Sequence, residues 1–170
     1  TYDSDASNST GYSGHYFQAD GAEKLRINAS GQLIFDADTN THIARPAADT
    51  LAVTTGGSER VRINSQGKVL VNTTTASSAG NSQYSLFEVS GNTSGATAAG
   101  VLSIKRGVAS ASLSNGDTIG RLVFSGLDGG DFAFIQASVD ADTTTDFPGR
   151  MMFYTCADGA TSATERMRIH

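Results

Sequence analysis

Residues 58–71 read SERVRINSQGKVLV, and residues 22–34, AEKLRINASGQLI, repeat that phrase with its charges and its turn in the same places. A shorter copy, ATERMRIH, stands at 163–170. A catalytic signature needs to occur once. A phrase of Glu, basic residue, apolar residue, Arg and Ile written three times reads as a building unit. Within it Val61 and Ile63 alternate with Arg60, Arg62 and Asn64, as Leu25 and Ile27 alternate with Lys24, Arg26 and Asn28. Alternation of period two is the mark of a strand with one apolar face. Each strand runs into a Ser/Asn/Gly turn, NASGQ at 28–32 or NSQGK at 64–68, and then into a second apolar run, LIF at 33–35 or VLV at 69–71. A glycine closing so short a connection fits a type I turn followed by a left-handed residue, so each phrase predicts a β-hairpin.

The two full hairpins start 36 residues apart, at Glu23 and Glu59. Between them, His42–Arg45 and Leu51–Thr54 predict two further short strands. Such self-similarity points to an array whose units cannot bury an apolar face alone. Residues 72–82, NTTTASSAGNS, hold no large apolar side chain. Beyond them the runs YSLFEV (84–89), VLSIKR (101–106), IGRLVFSG (119–126), DFAFIQASV (131–139) and RMMFYTC (150–156) are longer and more aromatic. The expected organisation is an N-terminal segment over 1–22, a hairpin shaft over 23–72, a linker over 73–82, and a more globular β region over 83–170. That region ends in a hairpin cut before its turn, the sign of a chain that continues.

Composition agrees with an all-β chain. Of 170 residues 38% are hydrophobic and only 17% charged, and 19 are glycine. So modest an apolar content allows a thin core, and thin cores are stapled, metal-bound or oligomeric. The one cysteine, Cys156, excludes an intrachain disulfide and reads as a buried strand residue. Oligomerisation is the expected remedy, with Leu25, Ile27, Leu33, Phe35, Val61, Ile63, Val69 and Val71 as its inward positions. The net charge of −5, without a long basic run, disfavours nucleic acid as a partner.

Catalytic and metal signatures are weak. Gly67-Lys68-Val69 lacks the Ser or Thr of a phosphate loop. Asp140, Asp142 and Asp146 match a calcium loop poorly, because Thr144 breaks the ligand pattern and the glycine is missing. His15, His42 and His170 have no metal-ligand spacing. No enzyme, cofactor or metal is expected. Tyr12, Tyr16, Asp128, Asp131 and Phe147 are the candidates for receptor contact, as aromatics or carboxylates in polar loops. Arg60 and Arg62 are expected to share one strand face, either solvated or paired with Glu59 of a neighbouring chain.

The phrase GGSERVRINSQGKVLVNTTT (56–75) resembles a motif that recurs in tail fibres and related virion appendages of bacteriophages, especially marine and cyanobacterial ones. GAEKLRINASGQLIF is a weaker copy, with Lys24 where Arg is usual, and GRMMFYTCADGATSATERMRI (149–169) resembles a second block of the same proteins. The resemblance implies short antiparallel hairpins and a β-sandwich-like or interwoven β domain, completed in a homotrimeric fibre. It implies a structural protein of the virion, extracellular, that contributes to host-cell attachment. The implied partners are further copies of itself, other virion tail proteins, and a host surface glycan or outer-membrane protein. A C-terminal self-cleaving chaperone follows such regions in many of these fibres. The alternatives are a fibre-borne polysaccharide depolymerase, which needs a long β-helix with an acidic groove, and a trimeric bacterial surface adhesin.

Overall fold

The turns of the repeated phrase set the architecture. In NASGQ the Asn28 N–H donates to the Gln32 carbonyl at 3.1 Å, and Asn28 Oδ1 accepts from the N–H groups of Ser30 and Gln32, both at 3.0 Å. In NSQGK the Asn64 N–H donates to the Lys68 carbonyl at 3.0 Å, and Asn64 Oδ1 accepts from Gln66 and Lys68 at 3.0 Å each. Gly31 and Gly67 close these loops at φ 73° and 76°, a region that costs an L side chain energy. The two full phrases are also entered through a two-residue turn, Asp20-Gly21 or Gly56-Gly57, with positive φ at both positions. Those are the angles of a type I′ turn, which matches the twist of a hairpin.

The structure, a computed structural model, describes residues 2–3, 14–91 and 99–170. It divides into two compact units, Thr1–Leu102 and Ser103–His170. In unit 1 the strands are β1 (Tyr2–Asp3), β2 (Gly14–Ala19), β3 (Ala22–Asn28), β4 (Leu33–Phe35), β5 (His42–Ala44), β6 (Leu51–Thr55), β7 (Ser58–Ile63), β8 (Val69–Val71) and β9 (Phe87–Val89). They form one sheet in chain order, antiparallel throughout except for the parallel pair β8–β9. Unit 2 holds β10 (Thr118–Ser125), β11 (Asp131–Val139), β12 (Gly149–Thr155) and β13 (Thr164–Ile169), an antiparallel meander. Among the described residues the only helical elements are two short 3-10 turns, Asn81–Tyr84 and Ser110–Ser112, so no helix is long and apolar enough to cross a membrane.

The all-β expectation holds, as do the strands predicted at 25–28, 33–35, 61–63, 69–71 and 131–139; the run at 150–156 is strand only to Thr155, so Cys156, expected in a buried strand, lies just past β12 and is half-buried. Three boundaries differ. β2 lies inside the stretch read as an N-terminal segment. Residues 101–106 form no strand. Residues 73–82, expected as a linker, are part of the crossover that a parallel β8–β9 pair requires, and β9 belongs to unit 1. Among the described residues of each unit, strand contacts run only between sheet neighbours, with no second strand layer of the same unit stacked on either sheet.

Candidate functional site

Each copy of the phrase contains a β-bulge. Val53 opposes Val61 and Thr54 opposes Glu59, which leaves Arg60 unopposed. Lys24 is skipped in the same way between Leu25 and Glu23, and Arg166 between Met167 and Glu165. In a regular strand, residues three apart point to opposite faces. The extra residue of the bulge returns them to one face. Glu and the second Arg of the phrase therefore meet: Glu59 accepts from Arg62 Nε at 2.6 Å and Nη2 at 2.7 Å, and Glu165 from Arg168 at 2.9 and 2.7 Å. In the first copy Arg26 and Glu23 stand 3.5 Å apart, and the guanidinium lies over the Tyr16 ring at 5.7 Å. The hydrogen bonds to Glu59 and Glu165 raise the pKa of Arg62 and Arg168, so both stay charged.

This corrects the reading of the arginines. Arg60 and Arg62 do not share a face, and Arg62 finds Glu59 of its own chain. The bulge arginines turn aside instead: Arg60 Nε donates to Thr55 Oγ1 at 3.2 Å and Arg166 Nε to Thr155 Oγ1 at 3.0 Å. The paired arginines lie beside the buried apolar residues. Arg26 opposes Ile34, Arg62 opposes Leu70, and Arg168 opposes Met152. Ile34, Leu70 and Met152 are 1%, 0% and 3% exposed. The methylene stems of long charged side chains cover apolar neighbours while the charged ends stay paired.

The opposite face of each sheet is apolar and open. Leu25 opposes Phe35, Ile27 opposes Leu33, Val61 opposes Val71 and Ile63 opposes Val69, and Ile43 and Val53 continue the face between the two hairpins. The eight residues picked as inward positions thus share one face. None is buried within the chain, and Ile27, Phe35 and Ile63 are about 40% exposed. In unit 2, Leu122, Ile135, Phe153 and Met167 form a cross-strand row, flanked by Phe124, Met151 and Ile169. Leu122, Phe124, Met151, Met167 and Ile169 are exposed. Ile104 covers part of this face, against Gly120.

Two polar clusters accompany these faces. Glu88 on β9 accepts from the Ser77 N–H at 2.9 Å, the Ser77 hydroxyl at 3.1 Å, the Ser85 hydroxyl at 2.9 Å and Lys68 Nζ at 3.3 Å. Led by the Ser77 amide, these bonds lower its pKa to about 2. Lys68 also donates to the Gln83 carbonyl at 2.6 Å, so the pair pins the crossover onto the sheet. In unit 2, Asp140 joins His170 Nδ1 at 2.7 Å and Arg150 at 3.0 Å, and both contacts lower its pKa, His170 first. This cluster borders a cavity of about 410 Å³ lined chiefly by Leu113, Ile119, Val139, Phe147, Met151 and Ile169. Both carboxylate oxygens are engaged, Oδ1 by Arg150 and Oδ2 by His170. Among the described residues no group of His, Cys, Asp and Glu could hold a metal. Cys156 Sγ lies 3.1 Å from the Ala160 carbonyl oxygen.

The receptor candidates of unit 2 are not brought together. Tyr12 lies outside the described residues, and Tyr16 is engaged with Arg26 in unit 1. Asp128 and Asp131 belong to the β10–β11 turn, where Asp131 accepts from the Ser125 hydroxyl at 2.6 Å. Phe147, 83% exposed, lines the cavity beyond the far end of β11, about 26 Å away at ~3.3 Å per residue. Sequence reasoning missed the bulge and the Glu88 cluster. The Glu-x-x-Arg spacing on a strand was the available signal, since it matches an ion pair only if one residue is bulged. No protein-family model matches the chain, and no curated protein matches it.

Proposed function

We propose that the chain is a structural segment of a bacteriophage tail fibre or related virion appendage, working as a homotrimer. It acts outside the cell, as part of the virion, and contributes to host-cell attachment without catalysing a reaction. Its partners are two further copies of itself, other tail proteins, and a glycan or outer-membrane protein of the host. One observation carries this reading: in unit 1 the buried Ile34, Ala52 and Leu70 lie on the arginine-bearing face of the sheet, while in both units large side chains of the apolar face stay half exposed. Exposed apolar areas of that extent mark interaction surfaces. Three copies meeting around an axis give every apolar face the same cover and complete an interwoven β domain. The repeated hairpin supports the assignment to a fibre, since it is the phrase shared with such appendages.

Electron microscopy of the purified chain tests the proposal. Elongated particles with three-fold symmetry are expected. Compact particles of single-chain size contradict it, and shortening of a surface glycan on incubation with the chain contradicts the non-catalytic role.

A further inference from the structure

The apolar face of unit 1 carries one row that no strand interrupts. Ile27 on β3 opposes Leu33, Leu33 opposes Ile43, Ile43 opposes Val53, and Val53 opposes Val61. Val61 opposes Val71, and Val89 stands beside Val71 in the parallel pair. Each strand from β3 to β9 thus contributes one branched aliphatic side chain to a single line across the sheet. None of the seven is buried within the chain. The rows to either side are partial. Leu25 and Phe35 flank the line on one side, on β3 and β4. Leu51, Ile63, Val69 and Phe87 flank it on the other, on β6 to β9.

Twist decides which row copies of the chain can share. Neighbouring strands are rotated by about 20–25°, so the six steps from β3 to β9 accumulate roughly 120–150°. Such a sheet is straight only along the line about which its strands turn, and positions off that line are carried round it. Copies that touch at every strand must touch along that line. The row from Ile27 to Val89 is the apolar row that all seven strands supply. The partial flanks fit the same arrangement. Around a three-fold axis one side of each sheet meets the opposite side of the next at the same strand. At β3 and β4 only one side is apolar, and at β6 to β9 only the other, so each corner receives one apolar flank and never two. The area is sufficient. From β3 to β9 the face measures about 29 Å across the strands and about 17 Å along them. Three such faces total about 1,500 Å², within the roughly 1,200–2,000 Å² of a stable interface.

We propose that the three-fold axis of unit 1 runs across the strands along this row, so that Ile43, Val53 and Val61 of each copy meet the same residues of the other two. The strands lie transverse to the axis, and the hydrogen-bonding direction of the sheet runs along it. Leu25, Phe35, Leu51 and Ile63 pack in the corners between neighbouring copies. This inference rests on the trimer reading and names the seam on which the copies join.

The test uses the 170-residue chain with Val53→Cys in a Cys156→Ser background. Sheets packed face to face stand about 10 Å apart, so a short bis-maleimide, and not a direct disulfide, spans two facing thiols. Three thiols around an axis are expected to give one linked pair and one single chain, so that a third of the chains stay unlinked. Leu51→Cys and Phe35→Cys in the same background place their thiols off the axis, and these are expected to stay single. The unmodified chain gives a second reading. In trimers assembled from isotope-labelled and unlabelled copies, filtered methyl NOE spectra are expected to connect Val53 of one copy with Val53 of another. That measurement decides the matter if the cysteine variants fail to fold. A trimer by native mass in which Leu51→Cys or Phe35→Cys links while Val53→Cys does not, or in which Val53 has no Val53 cross-peak, overturns the seam and leaves the trimer standing. A single chain at micromolar concentration overturns both.

Discussion

Leu70→Ala and Leu51→Ala make the same chemical change on opposite faces of one sheet. Leu70 is 0% exposed, across from Arg62 and Glu88. Leu51, across from Ile63, is 47% exposed. Removing a fully buried leucine forfeits its transfer free energy and leaves a cavity, together about 2–5 kcal/mol. Three faces of the Leu70 site are fixed by β7, β9 and the pinned crossover, so collapse is restricted and about 3 kcal/mol is expected. On a unit of this size each kcal/mol moves the melting temperature by roughly 4–8 °C, so unit 1 should melt at least about 12 °C lower. For a dissociated chain, Leu51→Ala loses about half of the transfer contribution and opens no cavity, near 1 kcal/mol. The proposed trimer would cover that face, and the cost should then rise toward that of Leu70→Ala. Urea unfolding followed by circular dichroism, repeated over a range of chain concentrations, measures both. Equal costs in the dissociated chain would refute the assignment of the arginine face as the intrachain core. A Leu51→Ala cost that ignores concentration would refute the covering of the apolar face.

Three further outcomes follow from the clusters. Glu88 has its pKa lowered to about 2 from an ordinary 4.5, so its contribution is present above the unfolded value and lost as pH falls from about 4.5 toward 2. Proteolytic cleavage within 73–86 should rise over that window, and Glu88→Gln should make it high at neutral pH as well. A double-mutant cycle on Glu59 and Arg62 should give a coupling of roughly 1 kcal/mol. The same cycle on the more exposed Glu165 and Arg168 should give less in the dissociated chain, read from urea midpoints. Gly67→Ala, at φ 76° in open space, should destabilise by about 1–2 kcal/mol through backbone strain alone, with unchanged near-ultraviolet dichroism.

Local chemistry was the legible part of this sequence. Asn64, Gly67 and the alternation in VRI specify a turn and a strand through interactions within a few residues, and the structure contains both. The choice of face was not legible. LIF and VLV are apolar at all three positions, so periodicity cannot say whether Ile34 or its neighbours Leu33 and Phe35 are covered. That depends on the bulge at Lys24, which sends Arg26 and Glu23 to the same side as Ile34. The bulge in turn depends on register between two strands, which no single strand encodes. β9 escaped notice as a partner of β8 for a similar reason. Its pairing is parallel, reached through a crossover of polar residues, and is secured by Glu88 and Lys68, twenty positions apart. Among the candidate site residues, Phe147 is an exposed aromatic, whereas Tyr16 is half-buried under Arg26.

The account's central claim is that apolar sheet faces left open by one chain are closed by copies of it. Native mass spectrometry, with sedimentation equilibrium at micromolar concentration, measures this directly. A species of three times the 17.6 kDa chain mass that dissociates on dilution only with loss of β structure is the predicted result. A stable, folded 17.6 kDa chain at the same concentration would contradict it.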